Sequence, residues 1–108
     1  MNFINKMQEN LRSGAYRGFA GLQFGDVTLS IQASQAHYCT PRKTLEDLTQ
    51  YSRMEFALIR EEEFISVRRI LPDFPRLEEI EEFKDTVYAY VPVELIEELC
   101  EALVTKYN

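Results

Sequence analysis

Glycine is scarce and confined to one stretch: Gly14, Gly18, Gly21 and Gly25, with none from Asp26 to the end. Chain reversals in that long remainder rest on Pro41, Pro72, Pro75, Pro92 and polar residues. The glycine cluster has neither the Gly-Lys-Ser/Thr ending of a phosphate loop nor a preceding strand, so it reads as turn chemistry. Two cysteines, Cys39 and Cys100, are too few for a disulfide framework and are expected as reduced thiols of a cytoplasmic protein. A single histidine, His37, leaves zinc without two closely spaced ligand pairs. Around Glu61, Glu62 and Glu63 the spaced Asp and Gly of a calcium loop are missing. No serine has the flanking pattern of a nucleophile elbow, although Ser13 precedes Gly14. No stretch approaches the roughly 18 apolar residues of a membrane span. The first residues carry neither a long apolar run nor a small-residue cleavage site, so no signal peptide is expected. No cofactor and no metal are therefore expected.

Six tyrosines and seven phenylalanines are present without tryptophan, and the apolar fraction of 45% is ordinary for a folded chain. A length of 108 residues fits one core, so residues 1–108 are read as a single globular domain. The charge is unevenly distributed. Residues 1–54 hold four acids against six Lys or Arg, and residues 55–108 hold fourteen against six, for a net charge of −6. That balance opposes direct binding to a phosphate backbone and favours basic partners. The basic pairs Arg42-Lys43 and Arg68-Arg69 are not interleaved with aromatics.

Hydrophobic periodicity sets the expected elements. Phe3, Ile4, Met7 and Leu11 recur at helical spacing, which predicts a helix over 2–13 capped by Asn2 and ended by Gly14. Val27, Leu29, Ile31 and Ala33 alternate with polar residues, which predicts a hairpin over 16–33 turning at Gly25-Asp26. Residues 34–51 fit either a short helix or a loop with one helical turn. Residues 52–71 are read as a strand, a charged turn and a shorter strand, although the lack of Gly and Pro from Arg42 to Leu71 also accommodates a long helix. Leu77, Ile80 and Phe83 predict a short helix, Thr86–Val91 a strand, and Ile96, Leu99, Cys100, Leu103 and Val104 a final helix after Pro92. The expected fold class is α+β, with a mostly antiparallel sheet of four to five strands and N- and C-terminal helices packed on one face.

Three functional readings follow. The first, and favoured, is a non-enzymatic interaction or regulatory module. Its acidic C-terminal half, through Glu78, Glu79, Glu82, Glu97, Glu98 and Glu101, docks a protein partner with a basic surface, and Tyr88 and Tyr90 serve as anchors. A nucleic-acid-binding protein is one such partner, with the acidic surface as a decoy. Strand register leaves open whether the two tyrosines face outward or lie under a helix. The second is a small enzyme or ligand-binding protein using His37, Tyr38 and Cys39, since His37 and Cys39 point the same way on an extended segment and Arg42 and Lys43 lie close in sequence. Glu55 also stands out, as an acid within an otherwise apolar strand. The third is a self-associating structural subunit, a homodimer formed through an edge strand or the Tyr88 face.

Overall fold

The computed structural model describes residues 2–107. Strands β3 (Leu22–Phe24) and β4 (Val27–Gln32) form the hairpin expected over 16–33, but shorter at its start, since residues 16–19 pair elsewhere; Phe24 lies opposite Val27 and Gly25 turns at φ +57°. A Cβ at Gly25 would come within 2.4 Å of the Tyr107 ring, so the position excludes a side chain both by conformation and by space. β4 pairs antiparallel with β5 (Arg53–Arg60) along its whole length, from Val27 opposite Arg60 to Gln32 opposite Glu55. The far edge of β5 is shared: β6 (Glu63–Ile65) pairs with its last residues and β7 (Tyr88–Pro92) with its first. All these pairings are antiparallel, and the five strands form one sheet.

Alternation fixes what this sheet buries. Val27, Leu29 and Ile31 of β4 and Met54, Phe56 and Leu58 of β5 are all in the core, while their neighbours are half-buried or exposed. Helix α3 (Val93–Tyr107) adds Leu95, Ile96, Leu99, Cys100 and Leu103 to the same cluster. Two short helices, α1 (Val67–Ile70) and α2 (Leu77–Glu81), complete the α+β fold. None of the described helices is long and apolar enough to cross a membrane.

The N-terminal segment corrects the expected helix over 2–13. Asn2 does accept a capping hydrogen bond from the Ile4 amide, but only a 3-10 turn follows, at Phe3–Lys6. The chain then extends into β1 (Glu9–Ser13), which turns at Gly14 and pairs with β2 (Tyr16–Phe19) as a separate ribbon. Gly14, at φ +60°, serves a hairpin rather than a helix end. Of the four residues in the supposed apolar stripe, Phe3 is buried but Leu11 is 54% exposed, so a helix here would have found no core to pack on. The ribbon is tied to β4 by Gln32. Its side-chain amide donates to the Phe19 carbonyl and accepts from the Phe19 amide, both at 2.8 Å, as a neighbouring strand would.

Residues 52–71 take the strand–turn–strand form, not the long helix. The β5–β6 turn is made by Glu61 and Glu62, both at positive φ (51° and 65°), a conformation that costs a non-glycine residue roughly 1–2 kcal/mol. Val67 starts α1 instead of extending β6, because Ser66 accepts from the Arg69 amide and caps a helix there. Residues 34–51 form a loop with one 3-10 turn, Leu48–Gln50, capped by Asp47.

β7 carries a bulge. Met54 faces Val91 and Phe56 faces Tyr88, so three steps along β7 match two along β5. The extra residue is absorbed where Tyr90 adopts φ +56°. Tyr88 and Val91 therefore both reach the core, three residues apart, while Tyr90 points outward.

Candidate functional site

The loop bearing His37, Tyr38 and Cys39 is organised by Arg17, a β2 residue that is 1% exposed. Its guanidinium donates to the Ala33 carbonyl at 2.7 Å, the Leu45 carbonyl at 2.6 Å and the Tyr51 hydroxyl at 3.0 Å, and lies 4.9 Å from the centre of the Phe19 ring. The Tyr51 hydroxyl in turn accepts from the Leu45 amide and donates to the Lys43 carbonyl. One buried cation thus fastens both ends of a loop with almost no regular structure of its own.

Within this loop the reactive side chains are brought near one another, and His37 and Cys39 are each held by hydrogen bonds within the loop. The His37 Nδ1 bonds the Ser34 hydroxyl at 2.7 Å, and its ring packs at 5.3 Å on Tyr16. Ser34 is fully buried, so no substrate reaches its oxygen. The Cys39 thiol donates to the Ser34 and Pro41 carbonyls at 3.2 and 3.4 Å. Burial pushes its pKa up, which keeps it a thiol rather than a nucleophilic thiolate. Cys100 lies in the core with its thiol pushed up to about 12 by burial. Glu55 is half-buried, and its carboxylate accepts the Tyr38 amide at 3.1 Å. Among the described residues no group of three His, Cys, Asp or Glu side chains has the arrangement of a metal site.

Burial also lowers the pKa of His37, opposed by the charge of Glu55. The unfolded chain binds a proton at His37 near the ordinary value of about 6.5, whereas the folded chain resists it. The stability that His37 contributes as a neutral ring is therefore full above about pH 6.5 and is lost as pH falls below it toward the depressed value. Urea unfolding from about pH 7 to about pH 5 is expected to show stability falling with acidity, and His37→Gln is expected to reduce that slope. An unchanged slope in the variant would show that other groups govern the acid limb.

The acidic residues of the C-terminal half do meet in space. Arg76, at the start of α2, bonds Glu79 of α2 and Glu98 of α3 and lies 3.8 Å from Glu94. Arg68 bonds Glu78 and approaches Glu81 at 3.9 Å. The counter-charges absent at i,i+4 in sequence thus arrive from α1 and the α2 N-terminus. Of the six acids named from sequence, Glu78, Glu79 and Glu98 are ion-paired. Glu97 accepts the Phe3 amide, which fastens the N-terminal turn to α3. Glu82 and Glu101 are exposed. Between α3 and the segment after α1 lies an open groove of about 590 Å³. Pro72, Pro75 and Ala102 supply its apolar surface above the buried Leu71 and Phe74, and Asp73, Glu98 and Glu101 supply carboxylates, Glu98 being already bonded to Arg76. Lys106 also borders it, but its ammonium is engaged by the Ile70 carbonyl at 2.5 Å.

The two sequence-named tyrosines part company. Tyr88 is buried, stacked on Phe56 with ring centres 4.4 Å apart. Its hydroxyl accepts the Val67 amide at 2.9 Å and donates to Glu81. Tyr90 is 38% exposed and lies beside Tyr38, which is 43% exposed, with ring centres 5.7 Å apart. The Tyr90 amide donates to the Tyr38 carbonyl, locking the two backbones together. The Arg42 guanidinium lies 5.0 Å from the centre of the Tyr38 ring, and Arg53 donates to the Tyr90 carbonyl at 2.9 Å. Neither arginine forms an ion pair among the described residues, whereas Arg12, Arg60, Arg68 and Arg76 all do. Sequence reading passed over Arg17 and Arg53, whose partners lie on other elements, and named Arg42 only as a charge near Cys39 and half of a basic pair. The nearest signal was Arg42, four residues from Tyr38.

No protein-family model, no curated protein and no solved structure matches this chain.

Proposed function

We propose that this chain is a non-enzymatic, cytoplasmic interaction module that binds a basic, partly apolar protein segment in the groove between α3 and residues 71–75, without contacting nucleic acid directly. The observation that supports this reading is the pairing of an apolar groove with carboxylates. Pro72, Pro75 and Ala102 offer burial to hydrophobic side chains, while Asp73 and Glu101, beside the Arg76-bonded Glu98, select Lys and Arg over acidic residues. Charge steers and discriminates, and the apolar surface supplies the gain from desolvation. Glu82, exposed just after α2, adds negative charge nearby, whereas Glu78 and Glu79 are already paired with Arg68 and Arg76. Tyr90 belongs to a separate surface, and Tyr88 supports the fold beneath. The geometry around Ser34, His37 and Cys39 favours structure over chemistry, since a buried serine and a protonated thiol make poor nucleophiles.

A labelled, short amphipathic Leu/Lys peptide tests the groove by fluorescence anisotropy. Asp73→Lys/Glu101→Lys is expected to weaken binding by about tenfold or more, equivalent to about 1.4 kcal/mol. Glu61→Lys/Glu62→Lys, which changes the net charge equally but on another surface, is expected to bind nearly as the wild type. Equal loss in both variants would mean that the peptide senses net charge alone, and the groove reading would then be abandoned.

A further inference from the structure

We infer that the occupant of the groove is a second copy of this chain, which presents its Tyr38–Tyr90 patch; the inference rests on the groove being a docking site. The two surfaces are complementary in chemistry. The patch offers two exposed tyrosine rings 5.7 Å apart, with Arg42 against one and Arg53 tied to the backbone of the other. Among the described residues neither guanidinium is ion-paired, Arg42 donating instead to the Gln35 carbonyl, while the groove carries Asp73 and Glu101, with Glu98 bonded to Arg76, beside the apolar surface of Pro72, Pro75 and Ala102. Tyrosine and arginine are the side chains that most often carry interface energy.

The backbone supplies an independent argument. Tyr90 sits at φ +56°, a conformation natural to glycine and unfavourable to a bulky aromatic. A bulge that only needed to correct strand register would be better served by glycine. Here the bulge aims a large ring into solvent, beside a second exposed ring, and the strain is spent on presenting that ring. Tyr90 makes no core contact that would explain its retention.

Patch and groove share no residue, so a pair of copies either fills both grooves reciprocally across a two-fold axis or makes one contact and leaves a patch and a groove for further copies. With a net charge of −6 per copy, the copies repel one another overall. The attraction is thus confined to contact range, within a Debye length of about 8 Å at physiological salt.

Sedimentation velocity over a range of protein concentrations tests this with three proteins. Wild type is expected to sediment faster as concentration rises, and to lose that dependence in high salt. The patch variant Tyr38→Ala/Arg42→Glu/Tyr90→Gly and the groove variant Asp73→Lys/Glu101→Lys are each expected to remain monomeric, with circular dichroism confirming that both are folded. Mixed in equal amounts, the two are expected to form a heterodimer and nothing larger, because only one intact patch meets one intact groove. A wild type that stays monomeric at every concentration would overturn the inference. So would association that persists in either variant alone, or a mixture that fails to pair. A fluorescent single-stranded oligonucleotide that binds wild type but not the patch variant, with no self-association, would reassign the patch to nucleic acid and overturn it as well. The peptide measurement on the groove stands apart: peptide binding lost in the groove variant, together with a monomeric wild type, keeps the groove and discards the second copy as its occupant.

Discussion

Arg17→Ala is expected to lower the unfolding free energy by about 3–5 kcal/mol, the range seen when a buried, hydrogen-bonded charge is removed and its partners are left unpaired. In a domain whose total stability is of order 5–15 kcal/mol, that corresponds to a melting temperature lower by roughly 10–20 °C. Three groups lose a donor at once: the Ala33 carbonyl, the Leu45 carbonyl and the Tyr51 hydroxyl. The guanidinium also fills space against Phe19, which alanine leaves empty. Because these partners bracket the loop that carries His37, Tyr38 and Cys39, hydrogen exchange of residues 34–50 should rise more than that of β4 or β5. Arg17→Lys should fall between the two, since one ammonium cannot reproduce a planar fork reaching three acceptors. A loss below about 1 kcal/mol for the alanine variant would mean that relief of the buried charge offsets the lost bonds, and that the loop holds itself.

How legible this molecule is in its sequence depends on the range of the interactions that shape each part. The β3–β4 hairpin could be read directly, because alternation from Val27 to Ile31 and a glycine turn are both local signals. The same holds for α3, whose apolar stripe and Pro92 start are contained within the element itself. The N-terminal ribbon could not be read. Phe3, Ile4, Met7 and Leu11 satisfy helical spacing, but the choice between helix and strand is decided by what β2 and Gln32 offer across space. The acidic half was visible as composition. Its neutralisation was not, because Arg68 and Arg76 reach their glutamates across turns and between helices. The same limit explains the basic patch. Arg53 and Tyr90 are 37 residues apart and meet only because β5 and β7 pair. Charge asymmetry along the chain is a statement of composition: it shows neither that Arg68 and Arg76 pair with several of the glutamates nor that Arg42 and Arg53 come beside Tyr38 and Tyr90.

The widest gap between neighbouring positions is expected in β7. Tyr88→Ala should destabilise by about 3–5 kcal/mol, the cost of emptying a buried aromatic site. The ring stacks on Phe56, and the hydroxyl joins the α1 amide of Val67 to the α2 carboxylate of Glu81. Burial holds the Tyr88 phenol pKa well above its usual range, consistent with a group that stays protonated as a donor. Tyr90→Gly, two residues on, should leave stability within about 1 kcal/mol of wild type, because glycine relaxes the positive φ and the ring it removes is 38% exposed and outside the core cluster. Plain alternation gives both tyrosines the same environment, since residues two apart on a strand share a face. The bulge breaks that equivalence, sending Tyr88 and Val91 inward and Tyr90 out. Urea titration of the two variants separates these roles. Comparable losses at both sites would mean that β7 runs without the bulge and that the tyrosines share one environment. A large loss at Tyr88 alone identifies Tyr90 as a side chain held for what lies outside the fold, since its removal costs the folded chain almost nothing.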